Sequence, residues 1–216
     1  MNILDYIISI LPALLSGTKM TLTIFIITGI GSILLGVLVG LGIISHFKPL
    51  VGILNVYVWL MRGTPLLLQL IFVFYGLPLI GIVFPRLDAA LLAFILNYTA
   101  YFGEIFRGGF QAIPAGQFEA AEMLHLSYWQ TIKNIIAPQV FKIVLPSLGN
   151  EIINLIKDSS LVYVIGLGDL LRAGNVATSR DVTLVPLILV GIIYLLLTAI
   201  CTFVLKQIEN HFRVWR

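Results

Sequence analysis

A chain of 216 residues that is 59% hydrophobic and only 11% charged is not an ordinary soluble domain, in which about a quarter of the residues carry charge. The net charge of +3 comes from Lys and Arg that stand singly between apolar runs. With no basic run and no interleaved aromatics, a nucleic-acid surface is excluded and the charges read as topology determinants. Cys201 is the one cysteine and lies inside a late apolar run, which rules out an intrachain disulfide and a Cys-based metal site.

The apolar residues gather into runs of roughly twenty, long enough as helices to cross about 30 Å of hydrocarbon. The expected fold is an all-α integral membrane bundle of about five transmembrane helices, one membrane domain over residues 1–216. The opening MNILDYIISILPALLSG has Asp5 and no Lys or Arg before its apolar part. That makes a poor secretory signal, and it predicts instead a short interfacial helix ending near Pro12.

The first span is expected over about 20–45, with Ser32, Gly36 and Gly40 at four-residue spacing forming a small-residue stripe that lets another helix approach closely. An approach helix over 49–62 leads to Arg62-Gly63-Thr64-Pro65, and Pro65 opens a second span over roughly 65–82. A third span covers about 88–107. A polar interruption from Arg107 to Lys142 follows, then a fourth apolar segment from near Pro146 to about Leu171. The fifth span is expected over about 183–205, before a basic tail from Lys206 to Arg216.

With the tail inside, Lys48, Arg62, Arg107, Lys133, Lys142, Lys206, Arg213 and Arg216 fall on one side, against Lys19, Arg86, Arg172 and Arg180 on the other. This bias favours an external N-terminus and a cytoplasmic C-terminus, and it puts the 107–145 loop in the cytoplasm.

Within that loop, Gln117 to Leu124 reads as a short helix with Glu119 and Glu122 in its early turns, suited to the positive helix end. Ser127 to Gln130 fits a capping box that starts a second helix. Ala120, Ala121 and Met123 leave a small, smooth apolar surface. Such a stub either packs on its own bundle or is covered by a partner in the helix-in-groove manner.

Three polar features interrupt the spans. Gln69 sits four residues after Pro65 and makes an interhelical hydrogen bond or lines a path. Asn97, Tyr101, Glu104 and Gly108 share one helical face; Glu104 either pairs with Arg107 at an interface or faces a cavity. Asn150, Glu151, Asn154, Lys157 and Asp158 fall within an arc of about 120° at 100° per residue, a sector that faces protein or water. Ser159 and Ser160 follow, where a helix interrupted at mid-depth presents polar groups to a solute. Lys157 and Asp158 neutralising each other as packing glue is the plainer alternative.

The loop string GQFEAAEMLHLSYWQTIKNIIAPQ resembles the EAA loop of ABC importer permeases, whose pattern is Glu-Ala-Ala, a later Gly, and an Ile-x-Leu-Pro ending. Here stand Glu119, Ala120 and Ala121, with His125 at the Gly position and Ile135-Ile136-Ala137-Pro138 at the end. RGTPLLLQL, YFGEIFRGGFQAIPAGQ and KDSSLVYVIGLGDL resemble the polar amino-acid uptake branch of that family, and the likeness covers nearly the whole chain.

The resemblance implies a type I importer permease of the bacterial inner membrane. Its coupling helix, with Glu119, Ala120, Ala121, Met123, His125 and Leu126, would sit in a groove of a separate ABC ATPase. It also implies a second permease subunit, identical or closely related, and an extracytoplasmic amino-acid-binding protein. The chain has no Gly-x-x-x-x-Gly-Lys-Ser/Thr loop, so ATP belongs to the partner and no cofactor is expected here.

The solute expected is a polar or basic amino acid. Glu104 and Asp158 would take its cationic groups. Lys157, or backbone N–H groups around Ser159 and Ser160, would meet its carboxylate, with Asn97 and Gln69 lining the path. The rival readings are an ion-gradient-driven secondary transporter, which would show an internal repeat, and a membrane scaffold without a path, which would not need these polar sectors. An enzyme has no support: His46, His125 and His211 lie outside the apolar runs, and no nucleophile or metal-ligand spacing converges.

Overall fold

The computed structural model describes residues 2–213; Arg216, counted above with the basic tail, lies outside the described residues. Nine α-helices are found among them: α1 Ile3–Ile43, α2 Lys48–Gly63, α3 Leu66–Ile71, α4 Arg86–Gln111, α5 Ala115–Met123, α6 Tyr128–Thr131, α7 Ala137–Asp158, α8 Leu170–Asp181 and α9 Val185–Arg213. Helices α1, α4 and α9 are each long and apolar enough to cross a membrane, and α2 with residues 66–80 forms a further candidate span bent by 103° at its break. Helix α7 is as long as a span but carries Lys142, Glu151, Lys157 and Asp158, so apolarity does not mark it. It completes the bundle of about five.

Helix α4 is the central post. Its Phe94, Tyr98, Phe102 and Phe106 are all buried in the main core with Leu70, Val144 and Leu155. The small-residue stripe of α1 packs against it. A Cβ added to Gly36 would stand 2.6 Å from Phe102 Cβ, and one added to Gly40 would stand 2.8 Å from Phe106 Cβ. No side chain fits there, and the close approach is where α1 and α4 gain dispersion contacts that lipid would otherwise supply.

Three boundaries differ from those expected. Helix α1 runs unbroken for 41 residues with Pro12 inside it, about 60 Å at 1.5 Å per residue, so no separate interfacial helix exists. Pro12 removes the bond to Ile8 O, but tertiary contact holds the segment: Ile10 and Leu14 are buried with Leu170, Ala177 and Val190. Tyr6 OH donates to Asp181 Oδ2 at 2.7 Å, and Thr21 Oγ1 accepts from Leu170 N–H at 3.2 Å. Their partner α8 is the second difference, a helix that the sequence reading missed. It is N-capped by Asp169, whose carboxylate accepts from the Leu171 and Arg172 N–H groups. The third is that α7 starts at Ala137, not near Pro146, and α4 runs on to Gln111.

Two prolines shape the backbone by the same device. Residues 72–76 and 132–136 each form a π-turn, and in both the residue before a proline donates five residues back, Leu77 to Phe72 O and Ala137 to Ile132 O. Pro78 and Pro138 have no N–H for the four-back carbonyl and crowd it with their rings, so the turn widens.

Replacing Gly36 by Val is expected to cost about 1–3 kcal/mol through forced separation of α1 from α4. Gly52, where an added Cβ meets nothing within 4 Å, is the control, and its Ala variant is expected to melt at or above the parent temperature. Thermal unfolding of the purified variants in detergent checks both.

Candidate functional site

Helix α2 ends at Gly63 and α3 begins at Leu66, with Thr64 and Pro65 extended between them. A chain break inside a bilayer frees backbone carbonyls that lipid cannot satisfy. Here the side chains of Gln69 and Asn97 take them. The Gln69 amide donates to Met61 O at 2.9 Å, to Thr64 Oγ1 at 2.7 Å and to Thr64 O at 3.2 Å. Asn97, 4% exposed on α4, donates to Met61 O and to Gln69 Oε1, each at 3.0 Å. Gln69 is thus the brace of the break.

The break forms one wall of a cleft of about 440 Å³ lined by Thr64 to Leu67, by Asn97, Tyr98 and Tyr101 of α4, and by Glu151, Asn154, Asp158 and Leu161. The opposite wall is the polar arc of α7, which here ends at Asp158 and passes into a tighter 3₁₀ turn over Ser159–Ile165, closed by Gly166 at φ 76°. Asp158 accepts from Tyr98 OH at 2.8 Å across the cleft.

Glu104 lies one turn along α4 from Tyr101. Arg107 grips it with both Nε (2.9 Å) and an Nη (2.5 Å), and Arg62 approaches it at 3.9 Å. Arg107 also reaches Gln111. The Arg62 guanidinium lies over the ring of Tyr101, 5.3 Å from its centre, within the range of a cation–π contact.

Of the residues singled out in the sequence, Asn97 and Asp158 stand on the cleft wall together with Glu151 and Asn154 of the polar arc. Gln69 stands behind the wall, and Glu104 in the ion-pair cluster beside it. Lys157 is exposed and outside the wall, and it does not neutralise Asp158. Ser159 is fully buried with its hydroxyl donating to Ile156 O at 2.7 Å, and Ser160 is not part of the wall. Tyr98 and Arg62 carry no site role in the sequence: Tyr98 sits one residue off the marked face of α4, and Arg62 enters there as a topology charge and as the first residue of the RGTPLLLQL string.

The other candidate surface is the α5–α6 stub. Glu119, Ala120, Glu122 and Met123 are exposed and Ala121 is the buried residue of α5, with Met123 81%, Leu124 70% and Trp129 76% exposed. The capping box of Ser127 and Gln130 is present. Helix α5 closes with Leu126 N–H to Ala121 O and His125 N–H to Glu122 O, a Schellman arrangement that places His125 at φ 55°. The position where the EAA pattern has Gly is therefore a left-handed one, and His125 occupies it under strain.

A profile of the family described as binding-protein-dependent transport system inner membrane component matches residues 32–214. The chain is 42% identical over 202 residues to the arginine transport system permease protein ArtQ of Bacillus subtilis (strain 168), covering 93% of this chain and 92% of that one. It is 35% identical over 211 residues to a putative glutamine transport system permease protein GlnP of Rickettsia conorii, with 95% and 97% covered. Among solved structures, the crystal structure of an amino acid ABC transporter with histidines superposes with a TM-score of 0.88 at 34% identity, covering 95% of this chain and 97% of that one. An inward-facing MetNI methionine ABC transporter shares the fold, at a TM-score of 0.78 and 17% identity over 93% and 96% of the two chains.

Gln69→Leu is expected to cost about 1–3 kcal/mol by orphaning the Thr64 carbonyl, seen as a lower melting temperature in detergent. His125→Gly relieves the left-handed strain. After the flexibility that Gly adds to the unfolded chain, a net local gain of about 1 kcal/mol is expected, read as roughly fivefold slower hydrogen exchange at Leu126 N–H.

Proposed function

The chain belongs to the family of inner membrane components of binding-protein-dependent transport systems, and from that premise we propose that it carries a basic amino acid inward through the cleft between the α2–α3 break and α7. The observation that carries the substrate class is the charge on the wall. Glu151 and Asp158 are its two ionisable acids, and no Lys or Arg belongs to it. Counting the adjoining cluster, three carboxylates face Arg62 and Arg107, which leaves one formal negative charge. A solute with one carboxylate and two cationic groups matches that remainder. The relative named for arginine transport points the same way.

In this reading the whole chain is one membrane unit whose N-terminus is outside and C-terminus cytoplasmic, as the Lys/Arg bias favours. Residues 107–145 form its cytoplasmic loop. The stub is the coupling element: exposed Glu119, Ala120, Met123 and His125, with half-buried Leu126 beside them, form the surface offered to a groove in an ABC ATPase, while Ala121 seats the helix on its own chain. A second permease copy or close relative encloses the path, and an extracytoplasmic amino-acid-binding protein delivers the solute. ATP binds the partner, whose closure moves the stubs and alternates access to the cleft.

The test is reconstitution with the ATPase and binding-protein partners in liposomes. Arginine and lysine are expected to stimulate hydrolysis and to be taken up. Asp158→Asn is expected to lower uptake of both by roughly tenfold or more, since a charge-assisted hydrogen bond is worth about 1.5–3 kcal/mol. Glutamate or glutamine driving hydrolysis as well as arginine does would overturn the substrate class.

A further inference from the structure

An amino acid in the cleft brings a carboxylate as well as cationic groups, and a carboxylate beside Glu151 and Asp158 needs a cation of its own. Of the groups expected to supply it, Lys157 is exposed off the wall, the Ser159 backbone N–H is taken up by Leu155 O, and neither Ser159 nor Ser160 lines the cleft. The guanidinium of Arg62 is placed to do so. It is itself exposed and no part of the lining, but unlike Lys157 it is anchored on the wall, lying over the ring of Tyr101, which lines the cleft with Glu151 of α7.

Arg62 is also the cation that can be spared. Glu104, its carboxylate neighbour, is already held in two hydrogen bonds by Arg107 at 2.9 and 2.5 Å, whereas Arg62 stands off at 3.9 Å with its side chain 41% exposed. A guanidinium at that distance makes no hydrogen bond to Glu104, so its donors can turn toward a ligand without stripping a partner from the cluster. Its planar fork matches a carboxylate in two parallel bonds, which a Lys at the same place would not provide. We infer that Arg62 binds the α-carboxylate of the transported amino acid, orienting it with its cationic groups toward Glu151 and Asp158. This rests on the reading of the cleft as a basic-amino-acid site. It adds a second determinant to that site, one that recognises the amino-acid backbone rather than the side chain.

The experiment compares binding of L-arginine and of agmatine, which is arginine without its carboxylate, to the permease–ATPase complex in nanodiscs without the binding protein. Wild type is expected to prefer arginine by roughly 10- to 100-fold, the value of a charge-assisted pair. Arg62→Gln is expected to weaken arginine by that factor, leave agmatine within about threefold, and so erase the preference. Arg62→Lys keeps the charge without the fork and should retain an intermediate preference. It also carries the test if the Gln variant does not assemble. Asp158→Asn should weaken both ligands together.

Because the readout is a ratio within each variant, a general loss of stability does not imitate it. An Arg62→Gln complex that still prefers arginine as wild type does, or that weakens both ligands equally, overturns the role of Arg62 alone. If wild type binds glutamine as well as arginine, the basic-amino-acid reading fails and this inference with it.

Discussion

The structure depends on satisfying the backbone where the candidate span of α2 and residues 66–80 breaks. Ending α2 at Gly63 and turning the chain through 103° strands carbonyls that in hydrocarbon cost several kcal/mol each when unpaired. One amide side chain from the far side of the break, Gln69, and one from the central helix, Asn97, meet at Met61 O and bond to each other. The turn, the start of α3 and the middle of α4 are thereby one unit. The cleft exists because that unit holds one of its walls open against α7.

Proline sets where each piece of backbone deviates. Pro65 starts α3, Pro78 and Pro138 each follow a π-turn, while Pro12 and Pro146 sit inside helices that continue through them. The difference is tertiary. Around Pro12, Leu14 and Ile10 are buried against α8 and α9, and below Pro146, Leu148 and Leu145 are buried within the bundle. The contacts on either side hold the helix axis while a single hydrogen bond is lost.

This explains which features were legible in the sequence. Patterns that act within one helix were readable: the Ser32-Gly36-Gly40 stripe and the capping box of Ser127 and Gln130 state their own geometry through spacing, and of the polar arc Glu151, Asn154 and Asp158 line the cleft while Asn150 and Lys157 at its edge are exposed. The continuity of α1 through Pro12 was not readable, because it is imposed by α8, a segment far along the chain whose weakly patterned sequence (LLRAGNVATSRD) gives little sign of a helix. Within the site, Asp158 and Asn97 stood out as polar residues in apolar runs. Tyr98 did not, since only its hydrogen bond to Asp158 separates it from the other core aromatics. Gln69 was equally visible as a wall residue or a brace, and the carbonyls of Met61 and Thr64, which decide between the two, belong to a turn that had to be seen.

An acid within a bilayer costs roughly 2.5–3.5 kcal/mol on insertion scales, and the bundle lowers that cost unevenly. Glu104 has two guanidiniums nearby and Asp158 has the phenol of Tyr98, a neutral donor that leaves the negative charge in place. On the proposed reading of the cleft as the solute site, such an arrangement is poor at holding a neutral zwitterion, which adds no net charge and leaves the surplus uncompensated. It is good at holding a solute of net +1, whose arrival removes a cost that the empty cleft carries. On that reading, selectivity between two amino acids of similar size follows from relief of that standing charge. The penalty falls on the wrong ligand through the carboxylate it fails to neutralise, as strongly as the right one gains from its contacts.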